Sequence, residues 1–158
     1  MNKYIGAKLI KAEPAFRVDG AIHPISDKEI LEDLENVHVE DGYKVVYQDG
    51  YVSWSPKDVF ERAYLKVQDN PELSSGVSIG PKMVNEFISY TETKTIGEKT
   101  TLVRCVLRNG FEIIETSGCV DAKNYDETMG EEICMRKIKD KIWFLLGFLL
   151  QTAWHGMQ

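Results

Sequence analysis

Residues 98–126, EKTTLVRCVLRNGFEIIETSGCVDAKNYD, constrain this chain more than any other stretch. Asn109-Gly110 lies between two runs rich in β-branched and apolar residues, which is the strongest short-range hairpin signal, because a type I′ turn needs positive φ at both central positions. A two-residue loop there predicts Arg108 opposite Phe111, Val106 opposite Ile113, Arg104 opposite Glu115 and Leu102 opposite Ser117, all on one face. Val103, Cys105, Leu107 and Ile114 fall on the other face. The first face then holds two arginines, which are costly to bury unless Glu115 or an anionic ligand answers them.

The polar turn DAKNYD, residues 121–126, leads from this hairpin into a long helix that Asp126 caps, with Glu131 and Glu132 near its positive end. Its expected apolar stripe is Met129, Ile133, Ile138, Ile142, Leu145 and Leu149. From Ile142 onward Trp143, Phe144, Leu146 and Phe148 add apolar residues on the remaining faces. A helix that is apolar all round must be covered all round, so its second half is expected to pack against a copy of itself, two-fold symmetry being the commonest outcome.

Upstream, residues 4–12 alternate as a strand would, with Ile5, Ala7 and Leu9 on one side and Pro14 beyond. The following segment, with Asp19-Gly20 and Pro24, reads as a loop. A short acidic helix is expected from 27 to about 36, with Ser26 as cap and Glu29 completing a capping box. Asp49-Gly50 joins YKVVY to YVSW in a second hairpin. Ser55 then reads as an N-cap and Pro56 as the first helical residue, with Val59, Phe60, Ala63, Tyr64 and Val67 as the apolar face. A linker, DNPELSSGVSIGP, precedes a short helix from Lys82 and the strand YTETKTI, which with the organising hairpin makes a three-strand meander. The expected class is therefore α+β, with antiparallel hairpins and a meander ending in a long C-terminal helix through which copies associate. The expected divisions are 1–68, a hairpin-plus-helix lobe; 69–81, a linker; and 82–158, the short helix, meander and long helix.

A 158-residue chain that is 43% hydrophobic and 28% charged has the composition of a folded globular protein. Its net charge of −6 argues against DNA or RNA as partners, since nucleic-acid binding needs a basic field. A local arginine cluster can still oppose the global sign and hold a small anion. Three well-separated cysteines favour a reduced, cytoplasmic setting. The first residues lack the apolar core of a secretory signal, and IWFLLGFLL is too short for a bilayer that needs about 20 residues, so no membrane association is expected.

The residues point to no catalysis. His23, His38 and His155 show no ligand spacing, no serine lies in a strained nucleophile turn, and there is no phosphate-binding glycine loop. No metal or cofactor is expected, and the chain reads as a non-enzyme. One constellation suits a nucleotide: Arg104 and Arg108 on the hairpin, Phe111 beside its tip, Asn124 and Tyr125 at the start of the helix, and Arg136 and Lys141 along it. An aromatic ring can stack on a base, an amide can read its edge, and cations can clamp phosphates. In the competing view the arginines are solvated or paired with Glu112 and Glu115, and Phe111 is core.

From about residue 81 to 151 the sequence resembles a family of small phage and prophage proteins that includes the Thoeris anti-defence sponges. The segments RNGFEIIETSGCVDAKNYDETMGEEI and KIWFLLGFLL carry that similarity. The resemblance implies a protein that binds and sequesters a cyclic nucleotide immune signal in the bacterial host cell, glycocyclic ADP-ribose or a cyclic oligonucleotide, without degrading it. It further implies homo-oligomers, dimers up to hexamers, with ligand pockets at a subunit interface. Carried over, Phe111, Asn124 and Tyr125 would contact base or ribose, and Arg136 or Lys141 the pyrophosphate. The alternative is a non-catalytic phage accessory protein acting through protein–protein contacts.

Overall fold

The structure, a computed structural model, describes residues 1–29 and 37–157. It is α+β and divides into two compact units, Met1–Lys66 with Ala153–Gln158, and Val67–Thr152.

The first unit carries a four-stranded antiparallel sheet in the order β2-β1-β3-β4, built from β1 (Lys11–Val18), β2 (Ala21–Pro24), β3 (Val39–Val46) and β4 (Val52–Pro56). Its core is small: Ala15, Phe16, Val18 and Val45 are buried. Helix α1 (Lys57–Ala63) lies on β3 through a stack of Phe60 on Tyr43, with ring centroids 4.1 Å apart, continued by Tyr64 on Phe60 at 4.9 Å. Two expectations fail here. Residues 1–10 form no strand, and pairing begins at Lys11. Ser55 does not cap α1; β4 continues through Pro56, which is itself the N-cap residue and makes no side-chain cap bond. The expected acidic helix falls largely on residues 30–36, outside the described residues.

The turns also differ from expectation, and each change has a local cause. Asp19-Gly20 forms a tight two-residue connection, with φ of 48° and 86° and Val18 directly opposite Ala21. Both positive φ values are what a type I′ turn needs. At Asn109-Gly110 only the glycine has positive φ, 83°. Leu107 N–H donates to the Phe111 carbonyl at 2.8 Å, Gly110 N–H donates to the Leu107 carbonyl at 2.8 Å, and the Asn109 side chain accepts from Phe111 N–H at 3.1 Å. That is a three-residue loop, a type I turn closed by a glycine bulge. Gln48, Asp49 and Gly50 repeat it between Tyr47 and Tyr51.

The extra loop residue moves the register of the organising hairpin by one. Helix α2 (Pro81–Glu86) precedes a three-stranded meander of β5 (Ile88–Ile96), β6 (Thr100–Leu107) and β7 (Glu112–Gly118), in that order across the sheet. Arg104 now lies opposite Ile114, Cys105 opposite Ile113 and Val103 opposite Glu115. A one-residue slip sends every β7 side chain to the other face. Arg104 and Glu115, expected on one face, therefore lie on opposite faces.

Helix α3 (Glu127–His155) covers the face bearing Thr101, Val103, Cys105 and Leu107, all buried. Asp126 caps it as expected, its carboxylate accepting from Met129 N–H at 3.0 Å. The buried stripe is Gly130, Cys134, Ile138, Ile142 and Leu146, which shares Ile138 and Ile142 with the expected one and departs from it elsewhere. Steps of four advance the stripe by about 40° each on a 3.6-residue helix, so it winds with the twisted sheet beneath. Met129, Leu145 and Leu149, expected inward, are exposed. Gly130 is required where the axis passes closest to β6: a Cβ there would lie 2.1 Å from the Thr101 hydroxyl oxygen.

Candidate functional site

The seven candidate residues lie in the C-terminal unit but do not form one cluster. Arg104 lies on the sheet face away from α3. Its Nη1 donates to Glu92 at 2.9 Å and its Nε to Glu112 at 2.9 Å, while Nη2 also pairs with Glu112. The hydrogen bonds from Arg104 hold the Glu112 carboxyl below its ordinary range, and the two carboxylates hold the guanidinium protonated. This arginine is answered within its own chain, by Glu112 and Glu92 and not by the Glu115 expected opposite it. Arg108 is exposed at the hairpin loop, where its backbone N–H donates to the Phe87 carbonyl at 3.0 Å.

Asn124 and Tyr125 sit at the far end of the sheet. Asn124 ends a 3-10 turn opened by Asp121, whose carboxylate accepts from Lys123 N–H at 2.9 Å. The Tyr125 hydroxyl lies 2.7 Å from the Thr95 hydroxyl and 2.9 Å from that of Thr101, and Thr95 also bonds Glu127. Tyr125 thus serves the junction of sheet and helix. Thr101 and Leu107 mark the two ends of β6, roughly 20 Å apart at about 3.4 Å per residue, so this pair is remote from Phe111. Arg136 is exposed on α3. It is two positions from buried Ile138, about 200° round the helix, and so turns away from the sheet.

Two candidates do share a site. Phe111 and Lys141 line an open groove of about 390 Å³ between the β7 edge and α3, with Glu112, Ile113, Ile114, Phe144 and Leu145. Ligand pockets begin at roughly this size. Phe111 is 56% exposed and Phe144 75% exposed, so two aromatic rings stand free at one place. Lys141 is ion-paired with Glu115, which the corrected register turns toward α3. One helical turn earlier, Lys137 Nζ donates to the Thr116 carbonyl at 2.9 Å. The expected apolar stripe hid Phe144 and Leu145 as groove residues; the available signal was the spacing of Phe144 three after Lys141, which keeps both on one flank.

Among the described residues no group of three or more His, Cys, Asp or Glu side chains is placed to hold a metal ion, and no helix is long and apolar enough to cross a membrane. Cys105 and Cys134 are buried, and desolvation raises both thiols above their ordinary range.

No curated protein and no solved structure matches the chain. Residues 79–154, just under half of the chain and spanning α2, the meander and nearly all of α3, match the Phage protein (N4 Gp49/phage Sf6 gene 66) family, so this portion is similar to a family of phage proteins.

Proposed function

We propose that the protein is a phage accessory protein that acts by binding, and that it sequesters a cyclic nucleotide immune signal of the glycocyclic ADP-ribose type in the host cell without degrading it. The observation that supports this reading is the groove in which free aromatic rings, Phe111 and Phe144, stand beside the ammonium group of Lys141. Rings stack on a base, and a lysine that exchanges Glu115 for a phosphate keeps a charge-assisted partner. Arg108, exposed at the adjoining loop, supplies a second cation within the same hairpin. Sequestration requires affinity near nanomolar, about 12 kcal/mol at the 1 M standard state. The internal pairing of Arg104 and Lys141 favours a second reading, in which the groove takes a protein instead of an anion.

Incubation with glycocyclic ADP-ribose, followed by removal of the protein fraction, heating and analysis of the released material, separates the possibilities. Depletion followed by recovery of unchanged ligand is the expected result. A chemically altered ligand would make the protein an enzyme, and no depletion would leave the protein-binding reading. Phe111→Ala should weaken calorimetric binding by about 5- to 160-fold, because a stacked base contributes roughly 1–3 kcal/mol. Its melting temperature should scarcely move, since the ring is already largely in solvent.

A further inference from the structure

We propose that a second copy of this chain docks on the β7 edge and the adjoining flank of α3, across a two-fold axis that sets Ile114 opposite Ile114 of the second copy. Three independent features of the surface lead to this one occupant.

The first is the backbone. β7 is the last strand of its sheet, and among the described residues no strand pairs with its outer edge. Leu107 N–H bonds the Phe111 carbonyl at one end of the hairpin, and Cys119 N–H bonds the Lys99 carbonyl at the other, at 3.0 Å. Antiparallel alternation between those bonds turns the odd-numbered residues of β7 toward β6. Glu112, Ile114 and Thr116 therefore direct their N–H and C=O groups outward. Centring a second β7 on Ile114 places Glu112 against Thr116 of the second copy, so no like charges meet. Centring it on Glu112 would oppose two carboxylates.

The second feature is the helix flank beside that edge. Lys137, Lys141, Phe144 and Phe148 follow one another at steps of four, three and four, which keeps them in a single row. A two-fold axis through Ile114 also passes this row near its middle, because Lys141, Phe144 and Ile114 line one groove. Antiparallel superposition then matches Phe144 with Lys141 of the second copy and Phe148 with Lys137 of the second copy. Each ring meets an ammonium group and its aliphatic stem, a favourable pairing, and each meeting occurs twice. The Thr116 carbonyl already accepts from Lys137 and keeps a second lone pair for the new strand.

The third feature is area. Ile114 is 54% exposed, Phe144 75% and Phe148 67%. Phe144 and Phe148, with Leu145, stand on the α3 side of the β7 edge and Ile114 on the side that bears Arg104, so exposed apolar side chains flank that edge on both faces. The strand edge and charged rim bring each side toward the ~800 Å² of a standard interface. Isologous pairing joins the β7 edge of each copy in one contact, so that contact closes on two copies instead of extending.

The seam uses Phe144 and Lys141 of the groove, so a nucleotide and the second copy compete for those side chains, and the test is run without a nucleotide. The purified full chain, followed by light scattering during size-exclusion chromatography, is expected to give twice the 18.0 kDa of one chain. Phe148→Lys, which sets lysine against Lys137 of the second copy, should raise the dimer Kd roughly a hundredfold, and adding Lys137→Glu should restore it. In a Cys119→Ser background, Ile114→Cys should cross-link to itself under mild oxidation, since directly opposed residues lie about 5.5 Å apart, whereas Thr116→Cys should not. A single-copy mass at every accessible concentration overturns the proposal. So does a dimer that ignores Phe148→Lys and fails to cross-link through Ile114→Cys.

Discussion

Ile138→Ala should lower the unfolding free energy by about 3 kcal/mol, within the range of roughly 2–5 kcal/mol for removing the branched part of a buried side chain. Ile138 is fully buried where α3 crosses the meander, between Cys134 and Ile142 in the stripe of four-residue steps. The paired variant Leu149→Ala tests the same helix on the line that three- and four-residue spacing would favour. Leu149 is exposed, so its truncation should cost under about 1 kcal/mol. Urea denaturation of both, with the slope unchanged, measures the difference. Equal losses would mean that the helix is rotated from the position described.

Gly130→Ala should destabilise the protein by about 2 kcal/mol, although alanine ordinarily gains close to 1 kcal/mol over glycine inside a helix. The reversal comes from Thr101. A new Cβ at residue 130 would lie 2.1 Å from its Oγ1 and 2.6 Å from its Cβ. Thr101 cannot yield easily, because it is fully buried in β6 and its hydroxyl is bonded to that of Tyr125. The internal control is Gly147→Ala in the same helix, where a Cβ meets nothing within 4 Å. That variant should follow the propensity scale and gain stability. Thermal unfolding of the pair should show shifts of opposite sign; a gain in both would remove the close approach of α3 to β6.

Local grammar was legible and register was not. Asp126 as cap, the α2 helix, the three-strand meander and the long C-terminal helix all follow from residues that act on their immediate neighbours. Asn109-Gly110 departs from the two-residue turn because Asn109 satisfies Phe111 N–H with its own side chain, which a sequence pattern does not weigh against positive φ. That single loop residue moved Arg104 to the far side of the sheet from Glu115. The helix stripe departs from expectation for a related reason: three- and four-residue spacing describes a straight contact line, whereas a twisted sheet selects four alone. At the candidate site, Phe111 and Lys141 came together because the hairpin and helix run side by side. Asn124 and Tyr125 are close to α3 in sequence but belong to its opposite end, about six strand residues away.

The meander has a kinetic corollary. Each strand of the C-terminal unit bonds the one made just before it, and α3 follows after a short connection, so nearly every stabilising encounter is between segments synthesised in succession. Chains wired in this way lose little loop entropy before their contacts form and fold in the fast part of the range for mixed domains. For a polypeptide that carries a bare strand border beside exposed phenylalanines, rapid maturation shortens the interval in which that border could capture an unfinished neighbour.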